Sequence, residues 1–288
     1  MSTAALRPVA LTLRMIKWEH TVFALPFALI GLLVASGGSP EWVTLFWILV
    51  AMVGARSSAM AFNRLVDHRI DAANPRTASR ELPSGALARL PVLVFTLGTA
   101  LLLVIAAWQL NEICLRLSPV ALVLIWLYSL TKRFTAFAHL FLGLALGIAP
   151  LGAWLAVTGS FALFPVLLGI GVMTWVAGFD ILYSCQDLEF DRSAGLHSIP
   201  ARWGADKARW VSRALHWVTI VAWYIALREV GLLMAASVGS VLVSVLLGYE
   251  HWLTRSGDLS RIDKAFFEVN SWVGMALLAV VVVDIYWV

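Results

Sequence analysis

Apolar stretches long enough to cross a bilayer, roughly 17 to 25 residues each, recur from one end of this chain to the other. They fall at about 19–37, 43–62, 91–110, 114–131, 135–157, 161–184, 209–228, 230–250 and 268–288. Of the 288 residues, 61% are hydrophobic and only 13% are charged, about half the charged share of a soluble domain. This pattern predicts an all-α polytopic membrane protein with nine transmembrane helices.

Lysine and arginine placement sets the expected orientation. Arg7, Arg14 and Lys17 precede the first stretch, and Arg64, Arg69, Arg76, Arg80 and Arg89 lie between the second and third. Lys132 and Arg133, then Arg192, Arg202, Lys207 and Arg209, then Arg255, Arg261 and Lys264 fall in the following alternate segments. The opposite side offers only Arg228, with Arg116 just inside a span. Positive charge collects on the cytoplasmic side, so the N-terminus is expected inside and the C-terminus outside. Basic loops facing anionic lipid account for the isoelectric point of 9.3, with no need for nucleic acid. Residues 1–37 read as a first span rather than a cleaved leader, because the apolar run contains Pro26 and the whole chain is membrane-spanning. The two cysteines, Cys114 and Cys185, are expected near opposite faces and so unable to bridge.

The organisation reads as one membrane domain with two similar halves, about 19–131 and 135–250, plus a last helix at 268–288. Pro26, Pro119 and Pro150 fall inside spans and are expected to bend them. Gly143, Gly147 and Gly152 are expected to permit close helix packing.

Two acidic segments stand out against this background. Asn63-Arg-Leu-Val-Asp67-His-Arg-Ile-Asp71 and Tyr183-Ser-Cys-Gln-Asp187-Leu-Glu-Phe-Asp191 each follow directly on an apolar stretch and space their oxygen-bearing residues by four. On a helix that spacing stacks side chains on one face. Carboxylates so close repel one another unless a hard cation lies between them, and Mg²⁺ with a diphosphate satisfies an all-oxygen set. Asn63, Asp67, Asp71, Asp187 and Asp191 are therefore the candidate metal ligands. Bases follow both segments: Arg76 and Arg80 after the first, His197 and Arg202 after the second, and Lys132 after Tyr128. Cations there would neutralise a diphosphate leaving group. Arg56 and Asp180 lie deeper, each seven residues before an acidic motif. Charges within spans are costly and face cavities. The two could pair with each other, or Arg56 could grip a substrate carboxylate.

These segments resemble the motifs of the UbiA superfamily of intramembrane prenyltransferases. NRLVDHRID followed by NPRTASRELPSG resembles the first motif and its Arg-Thr-x2-Arg loop, DILYSCQDLEFDRSAGLHSIPARWG the second, and YSLTKRFT the segment between them. The resemblance runs through nearly the whole chain. It implies a nine-helix bundle around a central cavity open to lipid, and Mg²⁺-dependent transfer of a polyprenyl group from polyprenyl diphosphate to an acceptor. It further implies that Asn63, Asp67, Asp71, Asp187 and Asp191 hold metal and diphosphate, that Arg76, Arg80 and Lys132 contact phosphate oxygens, and that Tyr183 lines the site. The loops are most similar to bacterial 4-hydroxybenzoate polyprenyltransferases and their relatives, which implies an aromatic hydroxy-carboxylic acid as acceptor. Prenylation of 1,4-dihydroxy-6-naphthoate in menaquinone synthesis is the alternative.

An ion-coupled transporter would also carry intramembrane acids. It would place them near the bilayer midplane, whereas these lie at the ends of the apolar stretches. A structural scaffold gives no reason for two acidic clusters.

Overall fold

The computed structural model of the chain describes residues 3–17, 23–255 and 265–288; Arg261 and Lys264, expected in an inner loop, and the start of the first expected span lie outside them. Among the described residues every regular element is helical. The principal helices are α1 (Thr3–Ile16), α2 (Leu25–Ala35), α3 (Trp42–Ala73), α4 (Arg89–Leu110), α5 (Glu112–Thr131), α6 (Ala138–Thr158), α7 (Leu163–Ser184), α8 (Leu188–Ser193), α9 (Ile199–Glu229), α10 (Ser240–Leu253) and α11 (Asn270–Trp287). Seven segments are long and apolar enough to cross a membrane: Trp42–Ala73, Arg89–Leu110, Glu112–Thr131, Ala138–Thr158, Leu163–Ser193, Ala235–Leu253 and Phe266–Trp287. The other two expected spans also coincide with helices. α2 has 11 described residues, and α9 begins with a polar stretch whose backbone breaks at Gly204. There φ is 81°, a conformation that only glycine adopts without strain.

The chain divides into two compact units. The described part of one comprises 3–17 and 46–130. In it, Ser58 ties three helices together: its Oγ donates to the Thr96 carbonyl on α4 (3.0 Å) and accepts from the Trp126 indole on α5 (3.0 Å). Phe62 stacks on the same Trp126 at 5.1 Å. Met15 and Ile16 of α1 bury against Ala61, Leu82 and Val92. This contact anchors the turn-rich segment between α3 and α4.

The other unit comprises 23–45, 131–255 and 265–288. Its α2 packs against α6 and α11, so the first expected span belongs with the later helices rather than with α3–α5. α6 and α7 approach through glycines. A Cβ on Gly143 would sit 2.1 Å from the Met173 carbonyl oxygen, and one on Gly147 would sit 2.6 Å from that of Gly169. Gly152 meets nothing within 4 Å, so it takes no part in that seam. Pro119 and Pro150 lie inside α5 and α6 as expected. Pro26 instead occupies the first turn of α2, where the missing N–H has no intrahelical partner to lose. Around Trp175, Phe27 and Trp223 the unit forms a buried aromatic core.

Candidate active site

The first acidic motif lies on α3, which runs as continuous α-helix through 63–71. The four-residue stacking expected of Asn63, Asp67 and Asp71 is therefore realised. Asn63 Nδ2 donates to Asp67 Oδ2 at 3.1 Å. Asp67 and Asp71 are 2% and 4% exposed, a depth at which carboxylates occur only with partners. One partner is present: Arg80 donates to Asp71 Oδ1 at 2.7 Å. The second oxygen, Oδ2, is buried without a hydrogen-bond partner among the described residues.

The segment after α3 presents Arg80 through local bonds. Thr77 Oγ1 donates to the Asp71 carbonyl (3.0 Å), the Arg76 amide donates to Asn74 Oδ1 (3.0 Å), and the Arg80 amide donates to the Thr77 carbonyl (3.0 Å). Arg76 itself is exposed. In the same unit Arg56 and Tyr128 are electrostatic neighbours, and Tyr128 also faces Arg64 and Asp67. Arg56 Nε has no hydrogen-bond partner among the described residues.

The second motif departs from the expected continuous helix. Tyr183 lies in the last turn of α7, a tight turn over Cys185–Asp187 follows, and Asp191 lies in the short α8. The 3₁₀ turn winds at about three residues per turn, so the three side chains do not stack as they would on one α-helix. α8 ends at Gly195, whose φ of 67° lets the Leu196 amide return to the Asp191 carbonyl at 2.8 Å. The Asp191 carboxylate accepts from Ser198 Oγ at 2.8 Å, and Lys132 lies within electrostatic reach of it. The His197 amide donates to the Lys132 carbonyl at 2.7 Å. Tyr183 packs its ring 4.4 Å from that of Phe266. Arg202 is exposed over Trp203, 5.7 Å from its ring centre.

Asp180, for which Arg56 was one expected partner, is held within its own unit by His139, 2.7 Å away. The Ile199 amide donates to His139 Nε2 at 3.4 Å. Nε2 is therefore the acceptor, and Nδ1 carries the proton given to Asp180. His139 and Ser198 were not singled out in the sequence. The signal for His139 was Asp180 itself, a charge in a span that needs a polar partner on a neighbouring helix. Cys114 and Cys185 are both free thiols.

The donor set fits Mg²⁺ in kind: carboxylate and amide oxygens, with one buried carboxylate oxygen still unpartnered. Within the described residues no three His, Cys, Asp or Glu side chains gather at metal-binding distance, so waters and phosphate oxygens would complete the coordination of any such ion.

Residues 24–272 match the model of the UbiA prenyltransferase family. The chain belongs to this family. It is 29% identical to the 4-hydroxybenzoate octaprenyltransferase of Tolumonas auensis over 256 residues, 86% of each chain. A UbiA homologue from Aeropyrum pernix K1, solved without ligand, superposes with a TM-score of 0.84 at 33% identity and covers 92% of this chain and 98% of its own. A UbiA homologue from Archaeoglobus fulgidus, solved with DMAPP and Mg²⁺, shares the fold with a TM-score of 0.67 at 18% identity, over 93% of this chain and 99% of its own. The chain is thus a membrane prenyltransferase, and the acidic segments belong to an enzyme rather than to a transporter or scaffold.

Proposed function

We propose that the enzyme transfers a polyprenyl group from polyprenyl diphosphate to the aromatic ring of 4-hydroxybenzoate, in respiratory quinone synthesis. The observation that carries this reading is the pair of buried carboxylates at the end of α3, one with an unpartnered oxygen, in a chain similar over most of its length to a 4-hydroxybenzoate octaprenyltransferase.

Asn63, Asp67, Asp71, Asp187 and Asp191 would hold Mg²⁺. Bound there, Mg²⁺ would offset the charge that builds on the departing diphosphate. Arg76, Arg80 and Lys132 donate to its oxygens, Arg202 contributes positive charge beyond the second motif, and Tyr183 lines the site. The allylic C–O bond breaks, a ring carbon of the acceptor forms the new C–C bond, and the ring proton leaves to a nearby base. Arg56 forms a two-pronged match to the acceptor carboxylate, beside Tyr128. Asp180 braces the second motif through His139. The apolar spans, with 14 Trp and 14 Phe in the chain, keep water from the allylic cation that it would quench.

The same proposal holds α2 and α9 to be spans as well, giving nine around a cavity open to lipid. The N-terminus and both acidic segments lie on the cytoplasmic side of a bacterial inner membrane, and the C-terminus outside. Basic residue placement supports this orientation.

The test is a paired assay of purified protein with Mg²⁺ and a long polyprenyl diphosphate, supplied with 4-hydroxybenzoate or with 1,4-dihydroxy-6-naphthoate. Prenylated hydroxybenzoate and released pyrophosphate are expected. Product with the naphthoate alone would transfer the enzyme to menaquinone synthesis. Absence of product and pyrophosphate from folded protein in both tubes would overturn the reading. Asp67→Ala and Asp187→Ala are each expected to abolish turnover while leaving the protein folded; normal activity in either would remove that residue from the metal set.

A further inference from the structure

Buried polar atoms without hydrogen-bond partners are rare in native folds, and here they cluster. Among the described residues six buried side-chain atoms are in this state; four of them, Arg56 Nε, Arg64 Nε, His68 Nδ1 and Asp71 Oδ2, lie on α3, and the others are Ser129 Oγ and Glu250 Oε2. No role yet explains Arg64 or His68, and of these two Arg64 carries the permanent charge. Its side chain belongs to a residue only 5% exposed, and a guanidinium carries five donors that cannot be shed by deprotonation. At about 100° per residue, Arg64 lies roughly 20° from Asp71 around α3 and roughly 60° from Asp67. It therefore shares the face of the first acidic motif rather than pointing away from it.

The carboxylates around it have other partners. The charged groups in electrostatic reach are Arg80, Asp71 and Glu81, with Tyr128 beside them. Asp71 is already bonded by Arg80 at 2.7 Å, and Glu81 is paired with Arg14 at 3.7 Å. Neither carboxylate is dedicated to Arg64. Two guanidiniums, Arg64 and Arg80, thus stand near each other in a sheltered place, an arrangement that repels until a polyanion enters. Arg56, further along the helix, shares only Tyr128 with it, so the Arg64 end is the one adjoining Arg80.

We propose that Arg64 is a further diphosphate-binding residue, its buried guanidinium taking a phosphate oxygen alongside Arg80. This rests on the proposed prenyl-diphosphate reaction. The two guanidiniums divide the work: Arg80, partly exposed, meets the incoming group, and Arg64, buried, grips it once water has left.

The experiment begins with the wild-type enzyme, measuring pyrophosphate binding in Mg²⁺ by its protection against thermal unfolding in detergent, and the KM for polyprenyl diphosphate and for the acceptor. Arg64→Gln is expected to weaken pyrophosphate binding by about tenfold or more, from loss of a charge-assisted bond. It should raise the KM for polyprenyl diphosphate similarly and leave the acceptor KM within twofold. Arg64→Lys, which keeps the charge without the two-pronged geometry, should recover part of the loss and supplies the reading if Arg64→Gln does not fold. A folded Arg64→Gln or Arg64→Lys protein with wild-type pyrophosphate affinity would overturn the assignment, as would equal rises in both KM values, the mark of a merely structural residue. Wild-type enzyme that neither binds nor releases pyrophosphate would overturn both this assignment and the reaction on which it rests.

Discussion

Replacing Gly143 by alanine places a methyl group where α6 and α7 leave no room for one. The added Cβ would stand 2.1 Å from the Met173 carbonyl oxygen, where ordinary contact begins at 3.4 Å. Because the obstacle is backbone, no rotamer change relieves it, and the helices must part locally by about an ångström. His139 lies one turn before Gly143 on α6, and Asp180 lies two turns after Met173 on α7. Their 2.7 Å bond spans the same seam, so parting the helices stretches it. Overpacking costs ~1–3 kcal/mol, and weakening a hydrogen bond to a charged group adds on the order of 1 kcal/mol. Against this, alanine favours helix over glycine by about 1 kcal/mol. The expected net loss is ~1–3 kcal/mol. Gly152→Ala supplies the control: it gains the same helix propensity and meets nothing within 4 Å, so it should be neutral or slightly stabilised. Denaturant unfolding in detergent micelles reads both variants, and turnover reads whether the second motif has moved. Gly143→Ala with the unfolding midpoint and turnover of Gly152→Ala would refute the reasoning from the seam.

Further outcomes follow from the same geometry. Arg56→Ala should raise the KM for the acceptor more than that for polyprenyl diphosphate; steady-state kinetics with each substrate varied decides this, and an equal rise would remove Arg56 from the acceptor site. Ser198→Ala loses both its bond to Asp191 and its cap on the Ala201 amide. A stability loss of ~1 kcal/mol with a larger relative fall in kcat is expected, and unchanged kcat would show that Asp191 needs no such support. Chelation by EDTA should stop pyrophosphate release, and added Mg²⁺ should restore it; turnover that survives exhaustive chelation would contradict the metal set.

The first acidic motif was legible because its geometry is local. Asn63, Asp67 and Asp71 lie on uninterrupted helix, and there a four-residue spacing converts directly into a shared face. The second motif has the same spacing but not the same geometry, because Cys185–Asp187 closes a tighter turn. Nothing in a list of residues separates an α-turn from a 3₁₀ turn where helix ends and polar residues meet. The partner of Asp180 was hidden for a different reason. His139 is 41 positions earlier, and only the packing of α6 on α7 brings them together. Glycine content showed that close packing was available, yet Gly143 and Gly147 form the seam while Gly152 does not. Which face of a helix meets a neighbour and which meets lipid is weakly encoded when both are apolar. Likewise Pro26 read as a kink because α2 was expected to begin several residues earlier; at the first turn it bends nothing.

Buried charge in this chain falls into two kinds, and the distinction separates scaffold from site. Asp180 is satisfied: it has His139, and His139 has the Ile199 amide. This chain of bonds holds the ends of α6, α7 and α9 in place. Among the described residues Arg56, Arg64, His68 and Asp71 on α3, like Ser129 and Glu250 elsewhere, each retain a buried polar atom with no hydrogen-bond partner, a state that costs roughly 1–3 kcal/mol apiece in a folded protein. Fold stability alone would favour apolar residues at these positions, so their retention supports a role in binding. On α3 such groups carry both signs of charge, and in the proposed reaction a diphosphate and its divalent metal would complement them together. The satisfied positions therefore tolerate substitution by another residue that restores the same bonds. In the proposed reaction the unsatisfied ones do not, because the partner they lack would be the substrate.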